Sequence, residues 1–152
     1  MLISFFIAAL TCLGVGWLGA YFQRGGLAEW YPFLEKSSLT PPGAVFGIVW
    51  TILYLLMALS ISRIVHQQKD LSSTVFMLFA AQLFLNFMWS VVFFYFREPW
   101  LGMLIIILLE IMVVMYIIIT FSIDIISSAC FMPYAVWLGF ASYLNFYIAW
   151  NN

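Results

Sequence analysis

Charged residues fall in short clusters between long apolar runs. No Asp, Glu, Lys or Arg occurs from Met1 to Tyr21, from Gly43 to Ser62, or from Leu71 to Phe96. Glu110 alone interrupts Trp100–Ile123, and Ile125–Asn152 again has none. Crossing a hydrocarbon core of about 30 Å takes roughly 20 apolar residues at 1.5 Å rise each. Each run meets that length. The pattern predicts an all-α integral membrane bundle of five transmembrane helices, a single domain over residues 1–152.

Boundaries follow from the punctuation. The first helix is predicted over about residues 2–22, before the longest connection, Gln23–Pro41. The run lacks a basic flank and exceeds the apolar length of a secretion signal, so it is read as part of the bundle. Pro41-Pro42-Gly43 opens the second helix, because the N–H that proline lacks has no partner at a helix start anyway. Thr40 is the expected N-cap. That helix ends near Val65, before the polar run His66–Asp70. Ser72, Ser73 or Thr74 caps the third, which reaches about Phe96. Arg97-Glu98-Pro99 reads as a tight turn, and the fourth helix spans about 100–123. Ser127-Ser128 begins the fifth, with Pro133 in its first two turns, where a lost backbone hydrogen bond bends a helix. By alternation, Arg24, Lys36 and Arg97 fall on one side of the membrane, Arg63 and Lys69 on the other.

Composition narrows the chemistry. Of 152 residues, 66% are hydrophobic and 7% charged, against about 25% charged in a soluble domain. The formal net charge is −1, so no basic surface exists for nucleic acid. Cys12 and Cys130 both lie in apolar runs and read as small buried hydrophobes rather than a disulfide. His66, the single histidine, sits among polar loop residues. No metal-ligand spacing, hydrolytic triad or carboxylate pair can be assembled, and no metal or cofactor is expected. Gly14-Val-Gly16-Trp17-Leu-Gly19 matches a dinucleotide fingerprint, but that motif needs a preceding strand. In an apolar helix it reads as close helix contact through small residues, within the bundle or in a homodimer. Trp17, Trp100 and Trp150 lie near span ends, as interfacial anchors do.

Three helices carry mixed stripes. Gly43, Gly47, Trp50 and Tyr54 share one face of the second helix. Gln82, Asn86, Trp89 and Phe93 do so on the third, and Tyr134, Trp137, Ala141 and Asn145 on the fifth. Amides inside a membrane are costly without partners, so Gln82, Asn86 and Asn145 are expected to point inward. Converging stripes would wall an aromatic cavity with a few polar anchors, suited to a flat, largely apolar ligand. Trp50, Trp89 and Trp137 serve as its wall or as ordinary packing. The fourth helix is almost featureless and reads as lipid-facing. Glu110 within it is either functional or a carboxyl that faces another helix or stays protonated.

These motifs resemble the tryptophan-rich sensory protein/translocator protein (TspO/MBR) family, whose animal members are peripheral-type benzodiazepine receptors. Trp30-Tyr31, Leu34-Glu35-Lys36 and Thr40-Pro41-Pro42-Gly43 resemble its first loop. Trp50-Thr-Ile-Leu-Tyr54, Gln82-Leu-Phe-Leu-Asn86-Phe-Met-Trp89-Ser90 and Pro133-Tyr134-Ala-Val-Trp137 with Phe140–Asn145 resemble its helix signatures. The resemblance implies a bacterial-type membrane receptor or sensor, often dimeric, binding porphyrins and benzodiazepine-type ligands beneath the first loop. It assigns the pocket to Tyr31, Pro41, Trp50, Tyr54, Asn86, Trp89, Trp137 and Ala141. Some bacterial relatives degrade protoporphyrin in light, which would make Trp50 and Trp137 redox-active. Transport of small apolar solutes is a further reading, disfavoured because the chain shows no internal repeat. Arg24 and Lys36 are candidates to pair with porphyrin propionates, in competition with Glu29 and Glu35. Ser37-Ser38-Leu39 stands where the family usually has Pro-x-Trp, which implies a looser ligand cover. Glu110 is displaced by five residues from the family's usual acid and does not inherit its role.

Overall fold

The computed structural model describes residues 1–67 and 73–152. Among them run five long helices: α1 (Leu2–Glu29), α2 (Gly43–Gln67), α3 (Ser73–Ser90), α4 (Pro99–Phe121) and α5 (Ile125–Asn151). All five are long and apolar enough to span a membrane. The protein is an integral membrane bundle. The helices pack in the cyclic order α1–α2–α5–α4–α3, with α3 returning to α1.

The ends differ from expectation in instructive ways. Helix α1 continues past residue 22 to Glu29, so Gln23–Glu29 is helix and not loop. Helix α2 begins at Gly43, with the Val45 amide on the Pro42 carbonyl at 2.9 Å. Thr40 does not cap it. Its amide instead closes a turn on the Ser37 carbonyl at 3.0 Å. The N-cap of α5 is Asp124, whose carboxylate accepts from the Ser127 amide at 3.1 Å and the Ser127 hydroxyl at 2.6 Å. Ser127 and Ser128 are already inside that helix, which continues through Pro133. Gln68–Asp70, Ser72 and the side chain of Ser73 lie outside the described residues.

Helix α3 passes into a π-helical turn, Val91–Tyr95. The Phe96 amide reaches the Val91 carbonyl, five residues back, at 3.0 Å. Such turns admit one extra residue and often mark functional sites. Buried Gly26 of α1 lies against the Phe94 carbonyl, where any side chain would collide. Gly16 faces the Tyr54 ring and Gly19 the Ser90 hydroxyl, so the glycine motif does bring helices together, whereas Gly14 faces open space. Arg97 then turns the chain at φ 59°.

The dense core occupies the end of the bundle away from the first loop. Tyr116 and Phe131 stack there at 4.1 Å, with Phe79 beside both. Arg63 holds Asp124 through two hydrogen bonds at 2.6 and 3.0 Å. The Ser60 hydroxyl donates to the Ser127 carbonyl at 2.8 Å and lies 3.0 Å from the Tyr116 hydroxyl. Helices α2, α4 and α5 are thus tied by polar groups at the end opposite the loop. The outer face of α4 is apolar and exposed, from Leu101 through Leu104, Ile111 and Ile118, as its sequence implied.

Candidate functional site

At the loop end the helices splay around a cavity of about 440 Å³. Pocket dimensions of roughly 300–1,000 Å³ are usual for small organic ligands. Among the described residues, its wall carries no Asp, Glu, Lys, Arg or His. Tyr31 and Pro41 come from the loop, Trp50 and Tyr54 from α2, Asn86 and Trp89 from α3, and Ala141 from α5. These predicted residues, taken from four separate segments, meet at one place.

Trp137 does not meet that expectation. It borders a shallower outer groove with Val49, Leu53 and Phe140. At 100° per residue, Ala141 and Asn145 fall within about 20° of Tyr134 around α5, whereas Trp137 lies about 60° away. That turn carries it toward α2. There its ring meets Phe46 at 5.6 Å, and Phe46 does line the cavity. Trp137 backs the wall instead of forming it.

The floor is a hydrogen-bonded bridge across three helices. The Tyr54 hydroxyl donates to Asn86 Oδ1 at 2.8 Å, and Asn86 Nδ2 donates to the Tyr134 hydroxyl at 3.0 Å. The expectation of inward amides holds for both Asn86 and Asn145. Trp89 Nε1 donates to Asn145 Oδ1 at 2.9 Å, and Asn145 Nδ2 to the Pro99 carbonyl at 2.8 Å. Gln82 is also inward and fully buried, yet neither end of its amide has a partner among the described residues. Glu110 is half-buried with one carboxyl oxygen likewise unpartnered, and it does not line the cavity.

Aromatic rings form most of the remaining surface. Trp89 stacks on Phe93 at 5.3 Å, Trp50 lies 5.6 Å from Tyr54 and 5.9 Å from Tyr134, and Tyr31 packs on Phe94 at 5.6 Å. The π-helical turn supplies Phe93 and Phe94. Burial raises the Tyr31 phenol above its ordinary range, so it stays neutral. Helix α1 contributes a wall that the stripes did not forecast: Leu13, Gly16, Trp17, Ala20, Gln23 and Leu27. They recur at helical spacing, and that was the available signal. Leu13, Trp17 and Ala20, with Gly43, Gly47 and Thr51 of α2, are also exposed on the outside. The open side of the cavity therefore runs along α1 and α2.

The loop above is fastened at several points. Ser37, buried, lies 3.0 Å from the Tyr143 hydroxyl. The Glu35 amide donates to Asn152 Oδ1 at 2.9 Å. Lys36 Nζ donates to the Tyr31 carbonyl at 2.8 Å and sits 4.9 Å from that ring's centre. Glu29 pairs with Arg97 at 3.0 Å, and Arg24 lies over the Tyr21 ring. Neither cation expected to meet a propionate, Arg24 or Lys36, lines the cavity.

Comparison with known proteins matches residues 8–151 to the model of the TspO/MBR family. Tryptophan-rich protein TspO of Chlorobaculum tepidum is 36% identical over 143 residues, 93% of this chain and 90% of that protein. Tryptophan-rich protein TspO of Archaeoglobus fulgidus is 36% identical over 139 residues, 91% of this chain and 90% of its own. Translocator protein of Bos taurus is 30% identical over 146 residues, 94% and 85% of the two chains.

Proposed function

The chain belongs to the TspO/MBR family, and from that premise we propose that it is a membrane receptor or sensor for porphyrins and similar flat apolar ligands, benzodiazepine-type molecules included. The observation that carries the reading is the cavity itself: uncharged among the described residues and walled by Trp50, Tyr54, Trp89 and Phe93. A planar ring system stacks on such walls, and each aromatic contact adds to the affinity from burial. Tyr31 and Pro41 cover the ligand, Asn86 floors the site, and Ala141 leaves room beside it. Trp137 acts through Phe46. Bacterial relatives support placement in a bacterial cell membrane.

The test is a dark titration of purified protein with protoporphyrin IX, followed by illumination. Saturable quenching of tryptophan fluorescence, with an unchanged porphyrin spectrum in light, is the expected result. Absence of saturable quenching refutes the reading. A new absorbing product that disappears in Trp50→Phe would shift it to light-driven porphyrin breakdown.

A further inference from the structure

We propose that Gln23 and Ser90 form the polar anchor of the cavity, a site for a carbonyl group on an otherwise apolar ligand. The proposal rests on the reading of this cavity as a ligand pocket. The amide and aliphatic hydroxyl side chains on the wall are those of Gln23, Thr51, Asn86, Ser90 and Asn145. Asn86 is engaged at both ends by Tyr54 and Tyr134. Asn145 is engaged by Trp89 and Pro99. Thr51 donates back to the Gly47 carbonyl of its own helix at 2.8 Å. Gln23 and Ser90 are bonded to each other, Nε2 to Oγ at 2.8 Å.

A primary amide has two N–H donors and a hydroxyl has one. After their mutual bond, the second Gln23 N–H and the Ser90 O–H remain to donate. With the amide turned over, Ser90 donates to Oε1 and both Gln23 N–H groups remain. Either arrangement presents two neutral donors side by side, complementary to the oxygen of a ketone, amide, ester or carboxyl group. The pair is built by the close approach of α1 to α3. Gly19, one turn before Gln23, is buried against Ser90, and a Cβ there would lie 3.2 Å from the Ser90 hydroxyl oxygen. Among the described residues nothing charged competes on the wall, since Lys36 is held by the Tyr31 and Pro32 carbonyls and Arg24 lies outside it. The ligand class is therefore an apolar ring system carrying a carbonyl, recognised by neutral donors and not by a cation.

Three porphyrins separate the possibilities in fluorescence titrations of the full chain in lipid nanodiscs. Protoporphyrin IX carries two carboxyl groups, its dimethyl ester keeps the carbonyls without charge, and etioporphyrin has alkyl groups only. Ser90→Ala and Gln23→Leu are each expected to weaken the first two by about tenfold, the scale of one hydrogen bond. Etioporphyrin affinity stays within about twofold. Equal weakening of all three, or of none, overturns the anchor while leaving the pocket reading in place. Failure of folded wild-type protein to bind any of the three overturns both. Weakening of protoporphyrin IX alone, with the ester unaffected, also overturns the anchor, because it would point to recognition of charge.

Discussion

Two amides one turn apart on α3 should respond to substitution with opposite signs. Gln82 is 0% exposed and neither end of its amide has a partner among the described residues, whereas Asn86, 3% exposed, is bonded to Tyr54 and Tyr134. Burying an amide without a partner costs about 1–3 kcal/mol by protein mutational data. Methionine has a similar length and no such group, so Gln82→Met removes that cost. In a bilayer the unfolded helices also find polar partners, which narrows the gain to about 1 kcal/mol. Asn86→Leu acts in reverse. It leaves the Tyr54 and Tyr134 hydroxyls facing an apolar side chain, at a cost of about 2 kcal/mol. Equilibrium unfolding of both variants in mixed micelles with increasing dodecyl sulfate reads the difference. A Gln82→Met protein as destabilised as Asn86→Leu would refute the reasoning, because it would mean the Gln82 amide is fully bonded in the folded protein.

Other outcomes follow from single contacts. Arg63 first, and then Ser127, hold the Asp124 carboxyl well below its ordinary range. A depressed folded value stabilises the protein above the unfolded pKa of about 4 and loses that contribution as pH falls below it. Thermal midpoints should be flat from pH 7 to about 5, then fall, and Asp124→Asn should start lower and lose the acid-side slope; an unchanged slope would contradict the pairing. Gly26→Ala forces α1 off the Phe94 carbonyl and should cost about 1–3 kcal/mol. Gly14→Ala, with open space around it, should be neutral or stabilising, and equal effects of the two in a thermal melt would refute the packing argument. Trp50→Phe should remove much of the porphyrin-quenched fluorescence and weaken binding severalfold, whereas Trp137→Phe leaves affinity within about twofold; the reverse order would place Trp137 at the ligand.

The helices were legible because hydrocarbon excludes charge, so the charge-free runs marked the spans. The same signal misjudged the end of α1. Gln23, Arg24 and Glu29 mark where the chain leaves the hydrocarbon, not where the helix stops, and backbone hydrogen bonding continues in the interface. The sequence pattern places the start of α5 at Ser127-Ser128, whereas the structure caps it three residues earlier, at Asp124. The pocket residues of α2 and α3 emerged from helical spacing. On α5 the same spacing admitted Trp137, at the edge of the stripe, where a neighbouring helix decides which way a ring turns. The wall from α1 carries one amide among small and apolar residues and so made no contrasting stripe. The π-helical turn left no mark in the sequence, because Val91–Tyr95 is as apolar and aromatic as the helix before it.

The open side of the cavity along α1 and α2 has a thermodynamic corollary. Under the proposed function, a ligand drawn from the bilayer would fill the cavity according to moles of ligand per mole of lipid. Adding empty vesicles to a fixed amount of protein and ligand would draw the ligand into bulk lipid and lower occupancy, although the water holds almost none of either. Dissociation constants for such a ligand would belong on a mole-fraction scale. A sensor of this kind would register how heavily a membrane is loaded with its ligand, whatever the total amount in the cell.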